Sequence, residues 1–139
     1  MRFSNEESKK MKRTIYHGDY NCGGYALNTF DWYRPYEKEF EKYFATDRKG
    51  MQRYVDHMLE EFSGSLRVIN SLKELRENEY AIAFRTRKTD FHYCKRAKNG
   101  HWTHKQGWAP IRKILKAEVF GKEWPRGYNS PIILFAATE

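Results

Sequence analysis

The residues best placed for chemistry are Cys22 and two histidines far downstream, His92 and His104. Cys22 opens a run with helical spacing, whereas both histidines fall in predicted strands. A thiol at a helix start, with an imidazole brought to it by the fold, is the usual arrangement of a cysteine nucleophile and its general base. The helix N-terminus and an imidazolium would both lower the pKa of the Cys22 thiol. These three residues therefore predict covalent catalysis by a thiol.

The two histidines can meet because a turn folds the chain back between them. Asn99-Gly100 is a hairpin turn signal. Pairing about this turn brings residue 92 close to residues 105–107, and a small register shift places it beside His104. We therefore predict that His92 is the general acid and base and that His104 orients its ring. Asp90 is an alternative residue for steadying the ring or the backbone.

Other residues near Cys22 are candidates for binding the oxyanion or the substrate. The backbone N–H of Cys22 can donate to an oxyanion, with Tyr20 or Tyr16 as further donors. Gly23 and Gly24 are poor helix formers, so they indicate either a crowded backbone or a ligand that approaches it closely. We expect Gly23 and Gly24 to leave room for a substrate at the helix start.

Two blocks of the chain resemble the NlpC-type papain-like cysteine peptidases and amidases, including phage- and bacteria-borne members. The segment Asn21-Cys22-Gly23-Gly24-Tyr25 resembles their Asp-Cys-Ser-Gly-Phe element, with Asn21 in place of an acidic residue and Gly23 in place of serine. The segment from Asp90 to Gly107 resembles their histidine region, with two histidines twelve residues apart. The resemblance implies a Cys-His-His triad that hydrolyses an amide bond in a peptide, a protein or a cell-wall peptide. Deamidation and acyl transfer use the same machinery.

Helices precede strands in the predicted order of elements. Helical spacing runs from Cys22 toward Pro35, and an apolar stripe from Met51 to Phe62 predicts a second helix with Asp47 as its N-cap. The order favours an α+β fold with an antiparallel sheet, and the resemblance implies a papain-like fold with N-terminal helices packed on that sheet. The segment 111–119 is ambiguous, and strands are predicted at residues 66–69, 80–84, 91–95, 102–104 and 132–136.

The length of 139 residues favours one domain over 1–139, with residues 1–13 as a flexible or helical basic leader. The sequence contains no apolar run of the ~18 residues that a membrane span needs and no secretory signal. We therefore expect a cytoplasmic protein with two free thiols. A zinc site built from Cys22, His92, Cys94 and His104 is an alternative. The close cysteine pair usual in such sites is missing, so we expect no metal and no cofactor, with Cys94 in the core.

The formal net charge of +8 is concentrated in one region. Residues 85–116 contain ten basic side chains and a single acidic one, Asp90. Such a surface favours an anionic partner, although it can also be an ordinary solvated face. The alternative function is therefore a non-catalytic phage-type protein that binds a host nucleic acid or an acidic protein, with interleaved aromatic residues as stacking platforms. The predicted basic surface comprises Arg87, Lys88, Lys95, Arg96, Lys98 and Lys105, and the aromatic residues are Phe91, Tyr93, Trp102 and Trp108.

Overall fold

The computed structural model describes residues 2–36, 42–97 and 99–139, which form an α+β fold with a six-stranded antiparallel sheet. Lys98 of the predicted basic surface lies outside these ranges. No helix in the described part of the chain is both long and apolar enough to cross a membrane. The elements are α1 (Asn5–Thr14), α2 (Cys22–Ala26), α3 (Arg48–Glu61), β1 (Leu66–Ile69), β2 (Glu79–Arg87), β3 (Asp90–Arg96), β4 (Trp102–Lys105), β5 (Ile111–Ile114), α4 (Lys116–Val119) and β6 (Ile133–Thr138).

The strand order is β1-β6-β2-β3-β4-β5, so the last strand of the chain lies between the first two. Both faces of the sheet are covered. Phe84 and Tyr93 pack into a core with α2 and α3, whereas Ala83 and Cys94 pack on the other face against Trp124. Coverage on both faces explains why the apolar residues of β2 run without interruption from Tyr80 to Phe84, without the alternation of a half-exposed strand.

Helix α3 confirms the prediction that the apolar stripe from Met51 to Phe62 forms part of the core. Met51, Tyr54 and Met58 are fully buried against the sheet. Asp47 is the N-cap residue by position, but its side chain makes no capping hydrogen bond. Burial of the stripe therefore holds this helix in place more than its cap does.

The helix that begins at Cys22 is shorter than the spacing of its residues predicts. Helix α2 ends at Ala26 and does not continue toward Pro35. Asn28 and Phe30 both adopt left-handed backbone angles, with φ of 56° and 53°. Left-handed residues at two positions in this short segment turn the chain away from the helical path, which an α-helix cannot accommodate. The ambiguous segment 111–119 divides into strand β5 and the short helix α4.

The hairpin β3–β4 forms at the predicted turn. Gly100 has φ of 86°, as a left-handed turn position requires. Cys94 pairs with His104, and the pairing between the two strands extends from there toward the turn. His92 and His104 are therefore diagonal neighbours on one face of the sheet. The strands keep the symmetric register, so the two histidines meet without the small register shift that was predicted.

Candidate active site

His92 and His104 form a hydrogen-bonded pair inside the protein. His92 Nε2 lies 2.9 Å from His104 Nδ1, and both side chains are buried. One of these two nitrogens must carry the proton that they share. The contact leaves His92 Nδ1 as the ring nitrogen available to another group.

An aromatic cage fixes the His92 ring. Tyr128 stacks on it with a centroid distance of 5.3 Å, and Trp124 contacts it edge-on at 5.8 Å. The Tyr128 hydroxyl donates to Asp90 Oδ2 at 3.0 Å. Asp90, which the sequence offered as a steadying residue, thus acts on the ring through Tyr128. Sequence reasoning missed Tyr128 and Trp124 because both lie in an irregular segment remote from the histidines.

Asn21 locks the start of α2, where Cys22 is the first residue. Its Oδ1 accepts from the N–H groups of Gly24 and Tyr33 at 2.9 and 3.0 Å, and its Nδ2 donates to the Tyr33 carbonyl at 2.7 Å. These bonds cap the helix and tie the returning chain to it. The Asn21 amide both donates and accepts here, whereas an ionised acidic residue could only accept.

Cys22 and His92 line one cavity of about 290 Å³. Helix α2 packs on the face of the sheet that carries Tyr93, whereas alternation along β3 points His92 to the opposite face. The two residues share a cavity because the pairing of β3 with β4 stops at Cys94, so the sheet opens beside the first half of β3. Among the described hydrogen bonds, none joins the Cys22 sulfur to either histidine.

Burial controls the electrostatics of the site. Loss of solvent raises the pKa of the Cys22 thiol to about 12, and the N–H groups of Tyr93 and Gly23 offset this only in part. The expected lowering of this pKa is therefore wrong for the resting site, because desolvation outweighs the helix start. Burial, followed by the charges of His104 and Arg126, lowers the pKa of His92 to about 3. Thiol and imidazole are both neutral at pH 7.

These pKa values predict how alkylation of Cys22 depends on pH. The thiolate is the reactive form, so we expect the rate with iodoacetamide to rise about tenfold per pH unit between pH 7 and 9. Peptide mapping by mass spectrometry would measure the rate at each cysteine. Cys94, which is fully buried and also a free thiol, serves as the slower internal reference. A rate that levels off below pH 7 would instead show a preformed thiolate–imidazolium pair.

The candidates for oxyanion and substrate contact are not at the cavity wall. Tyr20 is buried against Phe30, and Tyr16 is 65% exposed. A Cβ on Gly23 would lie 2.9 Å from the Tyr33 ring and 3.2 Å from the Tyr93 ring, so this glycine serves packing, with no room left for a ligand. The crowded-backbone explanation of the glycines is therefore the one that holds.

Two lysines of the predicted basic surface are buried. Lys95 is 7% exposed and its Nζ donates to Asn28 Oδ1 at 2.6 Å. Lys105 has no exposed surface, and its Nζ donates to the carbonyls of Tyr20 and Gly107. The prediction that these two lysines belong to an exposed basic surface is wrong, because both lie on the sheet face that α2 covers. The remaining described members of the set, which keep at least part of their surface exposed, are Arg87, Lys88 and Arg96.

The aromatic residues proposed as stacking platforms are mostly core. Phe91, Tyr93 and Trp102 are all buried, and only Trp108 of the four is exposed, at 74%. Single-stranded nucleic acid needs several accessible rings along a basic groove. Three of the four aromatic residues on which the alternative function as a nucleic-acid binder depends are therefore inaccessible to bases.

His92, Cys94 and His104 form a cluster whose ligand atoms lie within 4.8 Å of one another. Imidazole and thiolate are zinc ligands, but the cluster fits a metal poorly. Its two closest nitrogens are hydrogen-bonded to each other. Burial raises the pKa of the Cys94 thiol, and the buried Arg85 guanidinium nearby already supplies a positive charge. To bind there, a metal cation would have to displace the proton of the Cys94 thiol and would then lie close to the positive charge of Arg85.

Comparisons with protein-family models, with curated proteins and with solved structures found no match. Function is therefore inferred from the side chains of the site.

Proposed function

We propose that the protein is a papain-like cysteine hydrolase that cleaves an amide bond through Cys22, His92 and His104. The observation that carries the proposal is the shared cavity: Cys22 and His92 both line it, while His104 Nδ1 is hydrogen-bonded to His92 Nε2. A thiol at a helix start packed on an antiparallel sheet, with histidines on adjacent strands, also agrees with the NlpC-type resemblance of the two motifs.

The neutral resting state implies that the proton moves as the sulfur attacks. His92 Nδ1 takes the thiol proton, the sulfur bonds to the carbonyl carbon, and His92 returns the proton to the leaving amine as the C–N bond breaks. Water then hydrolyses the thioester, and an amine in its place would give acyl transfer. His104 accepts from the N–H of His92 Nε2, which fixes the productive tautomer and stabilises the imidazolium that forms.

Two donors are assigned to the oxyanion of the tetrahedral intermediate. The backbone N–H of Cys22 is at the helix start, where N–H groups lack intrahelical partners. Gln106 lines the cavity directly after β4 and carries a side-chain amide. It takes the role that the sequence gave to Tyr20 or Tyr16, because only Gln106 of these three borders the cavity.

The cavity charge favours a substrate with a carboxylate close to the scissile amide. Arg34, Lys42 and Arg126 line the wall, and Asp90, the one acidic residue among the described lining residues, already accepts from Tyr128. Arg126 is held at φ of 72°, an uncommon backbone angle for a residue with a side chain. After burial and His104, its charge is the next cause that lowers the pKa of His92. A substrate carboxylate on Arg126 would offset that charge and make His92 a stronger base.

An exposed aromatic pair lies at the rim of this cavity. Trp32 and Trp108 are 45% and 74% exposed, and their ring centroids are 6.2 Å apart. Large rings give contact area at low cost in conformational entropy. The pair therefore suits a peptide that crosses the rim while its carboxylate reaches the cationic wall.

A peptide library that varies acidic and neutral side chains tests this function. We expect mass spectrometry to detect cleavage or deamidation products mainly from acidic members. Arg126→Gln should raise KM for an acidic substrate about tenfold, the equivalent of one lost charged hydrogen bond, and should change KM for a neutral substrate little.

Lys88→Gln is the matched control, because it removes one positive charge from an exposed residue that does not line the cavity. Equal changes in KM for Arg126→Gln and Lys88→Gln would show that only the overall charge matters. A library without products from any member would contradict the proposed hydrolase.

A further inference from the structure

A second cavity of about 410 Å³ lies between α1 and the end of β3. Among the described residues, none lines both this cavity and the cavity at Cys22. Helix α1 contributes Ser8, Lys9 and Lys12 to its wall, and β3 contributes Lys95 and Arg96. The proposed catalytic mechanism uses none of these residues.

Ser8, which lines this cavity, carries a buried hydroxyl. The residue is 2% exposed, and its Oγ has no hydrogen-bond partner among the described residues. A buried polar group left unpaired costs about 1–3 kcal/mol. Since Ser8 lines the cavity, a ligand atom held close to the cavity wall is the candidate partner for this hydroxyl.

Lys95 places a positive charge at the same cavity. Its Nζ donates to Asn28 Oδ1 and lies 4.9 and 5.0 Å from the ring centroids of Tyr25 and Tyr80. An ammonium group has three donors, so two remain beyond the bond to Asn28. Lys12 lies over the same Tyr25 ring at 5.4 Å, which brings a second ammonium group to the site. Two like charges here favour an anion between them.

We propose that this cavity binds a small oxyanion, a phosphate, sulfate or carboxylate group, through the Ser8 hydroxyl and the ammonium groups of Lys95 and Lys12. The hydroxyl donates to one oxygen, and the two lysines supply charge-assisted bonds to the others. The wall also contains Lys9 and Arg96, together with the carboxylates of Glu6 and Glu139. Lys9 pairs with Glu6 at 3.3 Å, so the four basic side chains of the wall outnumber its two described carboxylates. The site is independent of the hydrolase activity proposed for Cys22.

Binding at this site should depend on pH. Burial, followed by the charges of Lys12 and Arg2, lowers the pKa of Lys95 to about 7, and the charge of Glu139 opposes this lowering. Tyr25 and Tyr80 are the other titratable groups that face the amine. A bound anion favours the ammonium form, so binding takes up a proton when the free amine is neutral. Affinity should therefore be highest below pH 7 and fall as the pH rises from 7 to 9.

Calorimetric titration of the full chain with sulfate tests the site, since sulfate does not titrate in this pH range. At pH 6 and constant ionic strength we expect saturable binding. Ser8→Ala and Lys95→Met should each weaken it about tenfold or more. Lys10→Met is the matched control, because it removes a charge from an exposed residue of α1 outside the cavity and should leave affinity unchanged. Methyl phosphate and acetate, titrated in parallel, show which oxyanion is preferred.

Two outcomes would overturn the site: no saturable heat up to tens of millimolar sulfate, or equal affinity in Ser8→Ala and Lys10→Met. Ser8→Ala removes an unpaired hydroxyl, so the variant should be at least as stable as the original chain. If Lys95→Met does not fold, Lys12→Met takes its place, and unchanged affinity in both Ser8→Ala and Lys12→Met contradicts the proposal. Cys22→Ala should bind sulfate normally, which separates this site from the proposed hydrolase.

Discussion

Replacing Cys22 by alanine is expected to abolish amide hydrolysis while the protein remains folded. The sulfur is the proposed nucleophile, and loss of a nucleophile lowers kcat by about 10³-fold or more. His92→Ala removes the acid and base and should cost about 10²- to 10⁴-fold in kcat. His104→Ala should cost less than His92→Ala, because His104 acts only through the His92 ring. The measurement is kcat/KM on the best substrate from the peptide library.

Cys94→Ala is the matched control for the nucleophile. Cys94 is the other free cysteine, buried on the opposite face of the sheet, and it takes no part in the proposed mechanism. We expect this variant to keep most of the activity and to form the same acyl adduct on Cys22, visible by intact mass. Activity that survives Cys22→Ala, or falls as far in Cys94→Ala, would contradict the assignment of the nucleophile.

Gly24→Ala is expected to destabilise the fold by about 3 kcal/mol or more. A Cβ at this position would lie 2.0 Å from the Asp31 carbonyl oxygen and 2.8 Å from the Asp31 nitrogen. Both are backbone atoms, so no side-chain rotation relieves the clash. The Gly24 N–H also bonds to Asn21, and a shifted backbone would disturb the helix start that carries Cys22. Urea unfolding followed by circular dichroism would measure the loss.

Gly121→Ala provides the comparison. Its nearest contacts, 3.4 Å from the carbonyl oxygens of Ala117 and Glu118, are ordinary, so stability should change by about 0.5 kcal/mol or less. If Gly24→Ala unfolds at the same urea concentration as Gly121→Ala, the helix start is less crowded than the structure indicates.

Features set by neighbouring residues were predictable from the sequence. The turn at Asn99-Gly100 formed where its residue types indicated, because glycine tolerates the left-handed angle that the hairpin needs. Alternation along β3 and the length of the hairpin brought His92 to His104. The stripe from Met51 to Phe62 formed the buried face of α3. Each of these depends on backbone geometry over a few residues, which the sequence encodes directly.

The length of α2 was not predictable from its spacing. Tyr25 and Phe30 fit a helical period, yet the chain reverses after Ala26 because Asn21 and Gly24 bond to residues further along. Such contacts depend on where the returning chain lies. The same limit applies to the glycines, whose crowding comes from Tyr33, Tyr93 and Asp31.

By itself, the sequence determined the helix start at Cys22, the paired histidines and the α+β order. Only the tertiary structure decided the electrostatics of these groups, the burial of Lys95 and Lys105, and the support that Tyr128 gives to His92. The reason is physical: the pKa of a thiol or an ammonium group depends on how much water the fold removes around it. That quantity is set by elements distant in the chain, and no local pattern of residue types contains it.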